Sequence, residues 1–166
     1  MNDTNLEKQR LTAVSLLRIT LGIVILATWY GNVKDGLYTA DGLTGFFNWL
    51  FDPNGNASSL GFYKAFLDTA VVPVAGLFGT FQLVAELLLG LALTAGLFSR
   101  LFGTIAMFFF VNLFLSYFGG HEWIWVYVLL FMAALTVALS AAGRQWGVDQ
   151  WLMSSKYKDQ KFSMFW

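Results

Sequence analysis

Four long apolar runs, separated by polar stretches of unequal length, organise this chain. The first extends from about Leu11 to Val33 and is interrupted only by Arg18. At ~1.5 Å per residue it covers the roughly 30 Å hydrocarbon core of a bilayer. The second runs from about Val72 to Leu97, with Pro73 in its first turn, where a missing N–H has no intrahelical partner to lose. The third, Leu101 to Phe118, follows after only Phe98-Ser99-Arg100, a link short enough to require antiparallel neighbours. The fourth, about Trp123 to Ala142, comes after the turn Gly119-Gly120-His121-Glu122. The pattern predicts an all-α polytopic membrane protein: a four-transmembrane-helix bundle forming one domain over 1–166, with a polar tail at 143–166. Ala27-Thr28-Trp29 is a poor cleavage site, so the first run is expected to be a retained anchor.

The polar interval at 34–70 is too long for a bare connection. Asp52-Pro53-Asn54-Gly55-Asn56 is a strong turn signal within it. Before that turn, Leu43 to Phe51 carries Phe46, Phe47, Trp49, Leu50 and Phe51, too short to span and rich in aromatics. A short helix lying at the membrane interface is expected there, and a second over about Leu60 to Thr69. The aromatic density predicts an ordered cap, since solvated linkers are poor in apolar residues.

Composition agrees with lipid as the solvent: 57% of residues are hydrophobic, 18% aromatic and 12% charged, against roughly 25% charged in soluble domains. Ten Lys and Arg balance ten Asp and Glu, leaving no basic excess to attract nucleic acid. The absence of cysteine excludes disulfide exchange, Cys-ligated clusters and thioether-linked haem, and one His beside one acid makes no metal site. With the N-terminus inside, Lys8, Arg10, Arg18, Arg100, Arg144, Lys156, Lys158 and Lys161 fall on one side and only Lys34 and Lys64 on the other. This asymmetry predicts a multi-pass protein of the inner (cytoplasmic) membrane with both termini cytoplasmic and 34–70 extracytoplasmic. Lys156, Lys158 and Lys161, interleaved with Tyr157, Phe162, Phe165 and Trp166, suit a tail lying on anionic lipid or on a partner subunit.

Polar residues at membrane depth are the candidates for chemistry, because a charge there is costly. Glu86 lies roughly 16 Å from the end of the second run, too deep to snorkel. Gln82 is four residues before it, and Gly79 and Gly90 are on adjoining turns, so this face must look into the bundle. Arg18, roughly 10 Å into the first run, could reach Glu86 or the cytoplasmic interface. The two form either a buried ion pair that sets register or a site in which Glu86 handles protons or binds a ligand. Asn112, roughly 18 Å past Arg100, is at a depth similar to Glu86 and suits an interhelical hydrogen bond or a ligand contact. Lys34 and His121 sit at the outer mouth, Lys34 as an anchor or anion contact, His121 as a plain loop residue or a site of proton uptake.

Several landmarks coincide. Arg18 and Gly22 in LLRITLG, Gly31 and Lys34 ending the first run, AELLLGLALTAGLFSR from Ala85 to Arg100, and GRQWGVDQWL from Gly143 to Leu152 occur in this order. Together they resemble the DoxX/DoxD family of four-helix membrane proteins, and the long first outer loop is similar to the DoxD branch, the small membrane subunit of thiosulfate:quinone oxidoreductase. The resemblance implies electron transfer from a small sulfur anion to a membrane quinone, with other membrane or extracytoplasmic subunits as partners. Many relatives have His before the glycine that ends the first helix; this chain has Tyr30. The expected site then comprises Glu86 and Arg18 as the reactive pair, with Gln82, Asn112, Lys34 and His121 around a quinone and no metal. The alternative is a non-catalytic accessory subunit of a larger respiratory or photosynthetic complex.

Overall fold

The computed structural model describes residues 3–140 and 142–154, and the regular secondary structure within these is all helix. Helix α1 (Asp3–Lys34) is longer than the apolar run predicts, because the polar residues before Leu11 are mostly good helix formers that carry it outward. After a turn come α2 (Ala40–Phe51) and α3 (Gly61–Phe66), then a π turn (Leu67–Val71) and a 3₁₀ turn (Val72–Val74) leading into α4 (Ala75–Ala95). Helices α5 (Ser99–Tyr117) and α6 (Trp125–Ser140) follow, and a 3₁₀ turn (Ala142–Arg144) precedes the short α7 (Val148–Ser154). The tail residues Lys156, Lys158 and Lys161 and their aromatic neighbours lie outside the described residues.

The passage from α3 to α4 is continuous, where the sequence suggests a break, and Pro73 explains its irregularity. Proline has no N–H to give to Thr69, so the ladder changes register around it. The Val72 N–H donates to Leu67 O, five residues back, and the Ala75 N–H to Val72 O, three back.

Three stretches, Gln9–Lys34, Gly61–Ala95 and Ser99–Tyr117, are long and apolar enough to cross a membrane. The fourth apolar helix, α6, has 16 residues, about 24 Å at 1.5 Å per residue. It begins two residues later than the sequence suggests.

Packing is most extensive between α1 and α4 and between α5 and α6, with α1 against α6 joining the pairs. At the α1–α4 crossing, a Cβ on Gly90 would meet Leu26 Cγ at 2.7 Å, so glycine is what lets the two helices approach. The main core runs through these four helices and contains Leu21, Ile25, Leu89, Leu93, Ala106, Phe110, Ala134 and Val137. A second core lies at the end carrying α2 and α3, the cap end, with Leu43, Phe47, Tyr63, Leu67, Val71 and Ala75. Although α4 and α5 are joined by a short turn, they touch less than any of the three pairs just named. Toward the cap end, residues of α2 and α3 sit between them.

The cap is built from local signals. Thr39 caps α2 by accepting from the Gly42 N–H at 3.0 Å. The helix then buries Leu43, Phe47 and Leu50, the three/four spacing of one face. The Asp52 carboxylate closes the following turn by accepting from the Asn54 N–H at 2.8 Å. Asn56, 1% exposed, then ties the cap to the turn after α5. Its carbonyl accepts from the His121 N–H at 2.8 Å, its Oδ1 from the Glu122 N–H at 3.0 Å, and its Nδ2 donates to Ser58 Oγ at 2.8 Å.

Candidate functional site

Glu86 faces the interior and is 3% exposed. Gln82, one turn earlier on the same face of α4, donates through Nε2 to Glu86 Oε1 at 2.7 Å. The second oxygen accepts from the Tyr38 hydroxyl at 2.6 Å, and Asn32 Nδ2 donates in turn to that hydroxyl at 3.3 Å. Tyr38 belongs to the turn between α1 and α2 and reaches this depth because its backbone lies directly on Gly79, where a side chain would collide with the Tyr38 carbonyl. Burial first, and then the hydrogen bond to Glu86, holds the Tyr38 phenol well above its usual pKa, so it remains a proton donor. Among the described residues, Glu86 has no Lys or Arg within ion-pairing distance.

The pairing of Arg18 with Glu86 is therefore corrected. Arg18 is fully buried at the opposite end, the tail end, where its guanidinium donates to the carbonyls of Leu93, Thr94 (2.9 Å) and Trp146 (2.9 Å). Leu93 and Thr94 belong to the last turn of α4, which carries the negative end of the helix dipole; the Leu93 carbonyl also accepts from the Gly96 N–H at 3.3 Å. Glu86 lies seven residues earlier on α4, roughly 10 Å away along the axis. Reaching it would take the donor from the Thr94 carbonyl.

Asp149 complements Arg18 at the same end. Also fully buried, it accepts from the backbone N–H groups of Phe98 (2.7 Å) and Ser99 (2.9 Å), the positive start of α5. One cation thus serves the end of α4 and one anion the start of α5, with the α4–α5 turn between them. Gly96, at φ 69° in that turn, leaves the space that the Arg18 guanidinium fills.

Gln82 and Asn112 come together, as their depths suggest. Both line a cavity of about 150 Å³ between α4, α5 and the cap. Its polar wall adds Tyr63 and Ser116; its apolar wall includes Phe46, Phe47, Phe66 and Phe78. The Tyr63 hydroxyl donates to Asn112 Oδ1 at 2.6 Å and lies 3.1 Å from Ser116 Oγ. Asn112 Nδ2 meets no acceptor among the described residues. Glu86 stands one side chain behind the cavity, bonded to the Gln82 that lines it.

The other two candidates lie elsewhere. Lys34 is exposed, its ammonium 5.5 Å from the centroid of the Tyr30 ring. His121 is exposed in the turn that Asn56 holds. Neither lines the cavity.

Sequence reasoning missed Tyr38, Asn32, Tyr63 and Asp149. Asp149 lies within the GRQWGVDQWL motif, so it was visible there without a role. Tyr38 and Tyr63 are aromatics among many in the polar interval, and nothing local distinguishes the two that turn inward. No protein-family model, no curated protein and no solved structure matches this chain.

Proposed function

We propose that this chain is a DoxX/DoxD-like membrane subunit that holds a quinone headgroup in the cap-end cavity. In this reading α6 completes a four-helix transmembrane bundle, both termini are cytoplasmic, and α2 and α3 form an interfacial cap on the far face of the inner membrane. The strong asymmetry of Lys and Arg about the apolar runs supports that orientation. The observation that carries the ligand is the meeting of Gln82 and Asn112, from two helices, in a cavity otherwise rich in phenylalanine.

The residues present fit a quinone headgroup. At about 150 Å³ the cavity is smaller than a typical ligand site of roughly 300–1,000 Å³, which restricts it to little more than one ring. Phenylalanine side chains suit the faces of such a ring. Asn112 Nδ2 offers a donor that a quinone carbonyl oxygen can accept from. A bound quinone takes up two electrons and two protons. Asn112 and Gln82 orient the ring, Tyr63 fixes the Asn112 amide by occupying its oxygen, and Glu86 fixes Gln82 and is the carboxyl nearest the cavity. The electrons come from a partner subunit that oxidises a small sulfur anion, in keeping with the DoxD resemblance.

Gentle purification, followed by extraction and quantification of bound quinone, tests the reading. Quinone near one per chain, lost on Asn112→Leu while the fold is retained, is the expected result. An accessory structural role is the second reading, favoured by the aromatics exposed at the cap end, Trp49, Phe62, Trp123 and Trp125. A large co-purifying assembly with no quinone in this chain would establish that role instead.

A further inference from the structure

A second and larger cavity, of about 310 Å³, opens at the tail end between α1, α5 and α6. Arg10, Arg100 and Arg144 line it, with Glu7 as the one acid among them. Arg100 stands near the start of α5, where the helix dipole disfavours a cation, so α5 itself offers its charge no compensation. Its Nε is shielded from solvent and has no hydrogen-bond partner among the described residues. Neither the Arg10 nor the Arg100 guanidinium makes a hydrogen bond or ion pair among the described residues. A shielded guanidinium N–H without an acceptor is an uncompensated desolvation cost, and an anion in the cavity would remove it.

We infer that this cavity binds the phosphate of an anionic phospholipid. Arginine forks match phosphate oxygens in pairs, and Arg10 and Arg100 alone already outnumber the one carboxylate. The remaining walls favour a lipid over free phosphate. Leu11, Val14 and Leu139 continue from the guanidinium groups toward the outer surface of the helices, where Leu139 is 72% exposed. A free phosphate has no use for an apolar wall, whereas an acyl chain lies along one. Basic pockets between membrane helices commonly hold anionic headgroups in this way. The site is separate from the cap-end cavity and stands whether or not that cavity takes a quinone.

The test uses the full chain purified in a neutral detergent, stripped of lipid, and offered equal amounts of phosphatidylglycerol and phosphatidylcholine. Retained lipid is identified by mass spectrometry. A preference of about tenfold or more for phosphatidylglycerol is expected, falling about tenfold in Arg100→Gln, the scale of one lost charge-assisted contact. If Arg100→Gln fails to fold, Arg10→Gln, at an exposed position, carries the same test and lowers the preference. Glu7→Gln leaves the preference intact or raises it. Equal retention of the two lipids, or a preference unchanged in the folded arginine variants, would overturn the inference. Displacement of phosphatidylglycerol by a modest excess of inorganic phosphate would also overturn it, by assigning the site to the free anion.

Discussion

The two ends of the molecule bury charge in opposite ways. At the tail end, Arg18 and Asp149 are held by backbone: three carbonyls for the cation, two N–H groups for the anion. At the cap end, Glu86 is held by neutral side chains, the Tyr38 hydroxyl and the Gln82 amide. All but the Trp146 carbonyl belong to the end of α4 or the start of α5, which need partners whatever the function, so the tail end is a joint that closes the α4–α5 turn. The side chains around Glu86 can rotate and exchange hydrogens, and one of them lines a cavity. A buried ionisable side chain therefore does not by itself mark a functional site; its partners separate a joint from a pocket.

The comparison is broken most directly at Arg18. Arg18→Met keeps an unbranched side chain but leaves the Thr94 carbonyl at the end of α4 without its donor and Asp149 buried without its nearby cation. A loss of about 3–5 kcal/mol, the range for removing one partner of a buried charged arrangement, is expected in thermal or denaturant unfolding in detergent. A loss below about 1 kcal/mol would mean that water reaches this carbonyl and that the tail end is no joint.

Asn56→Ala should have the next largest effect. It removes the side chain that joins Ser58 to the Glu122 N–H, at a cost of about 1–3 kcal/mol. Faster amide exchange across residues 43–69, with exchange in α1 and α4 unchanged, would show that the cap opens as a unit apart from the main core. Uniform exchange throughout would count against two separate cores.

Glu86→Gln should have the smallest effect. A flip of the Gln82 amide lets the new side chain keep partners on both of its atoms, so about 1 kcal/mol or less is expected. If Glu86→Gln costs as much as Arg18→Met, the contrast between the two ends fails. In the proposed function the same variant keeps its fold and its retained quinone but slows quinone reduction.

Much of the cap-end site was legible in the chain because it depends on helical period and depth. Gln82 and Glu86 are four apart, and Gly79 and Gly90 share their side of α4 and do accept close neighbours, the Tyr38 backbone and Leu26. Asn112 could be placed by counting from the start of its helix, and it does reach the cavity that Gln82 lines. The partner of Arg18 could not be read that way. Two acceptor sets lay within reach of so long a side chain, and only the packing of α7 under the α4–α5 turn brings Asp149 and Trp146 to it. The continuous passage from α3 into α4 was equally hidden, because Pro73 signals a break in the hydrogen-bond ladder without saying whether the helix resumes along the same line.

By itself, the sequence determined that the chain is helical and apolar enough to enter a membrane, roughly where its long helices lie, and which side of α4 carries polar groups. Those properties follow from the composition and period of neighbouring residues. Tertiary structure decided that Tyr38 folds inward to meet Glu86, that Asp149 caps a helix fifty residues before it, and that α2 and α3 hold α4 and α5 apart around a cavity. Each of these joins groups distant in the chain whose burial is tolerable only when both partners arrive together, and no local pattern encodes that condition.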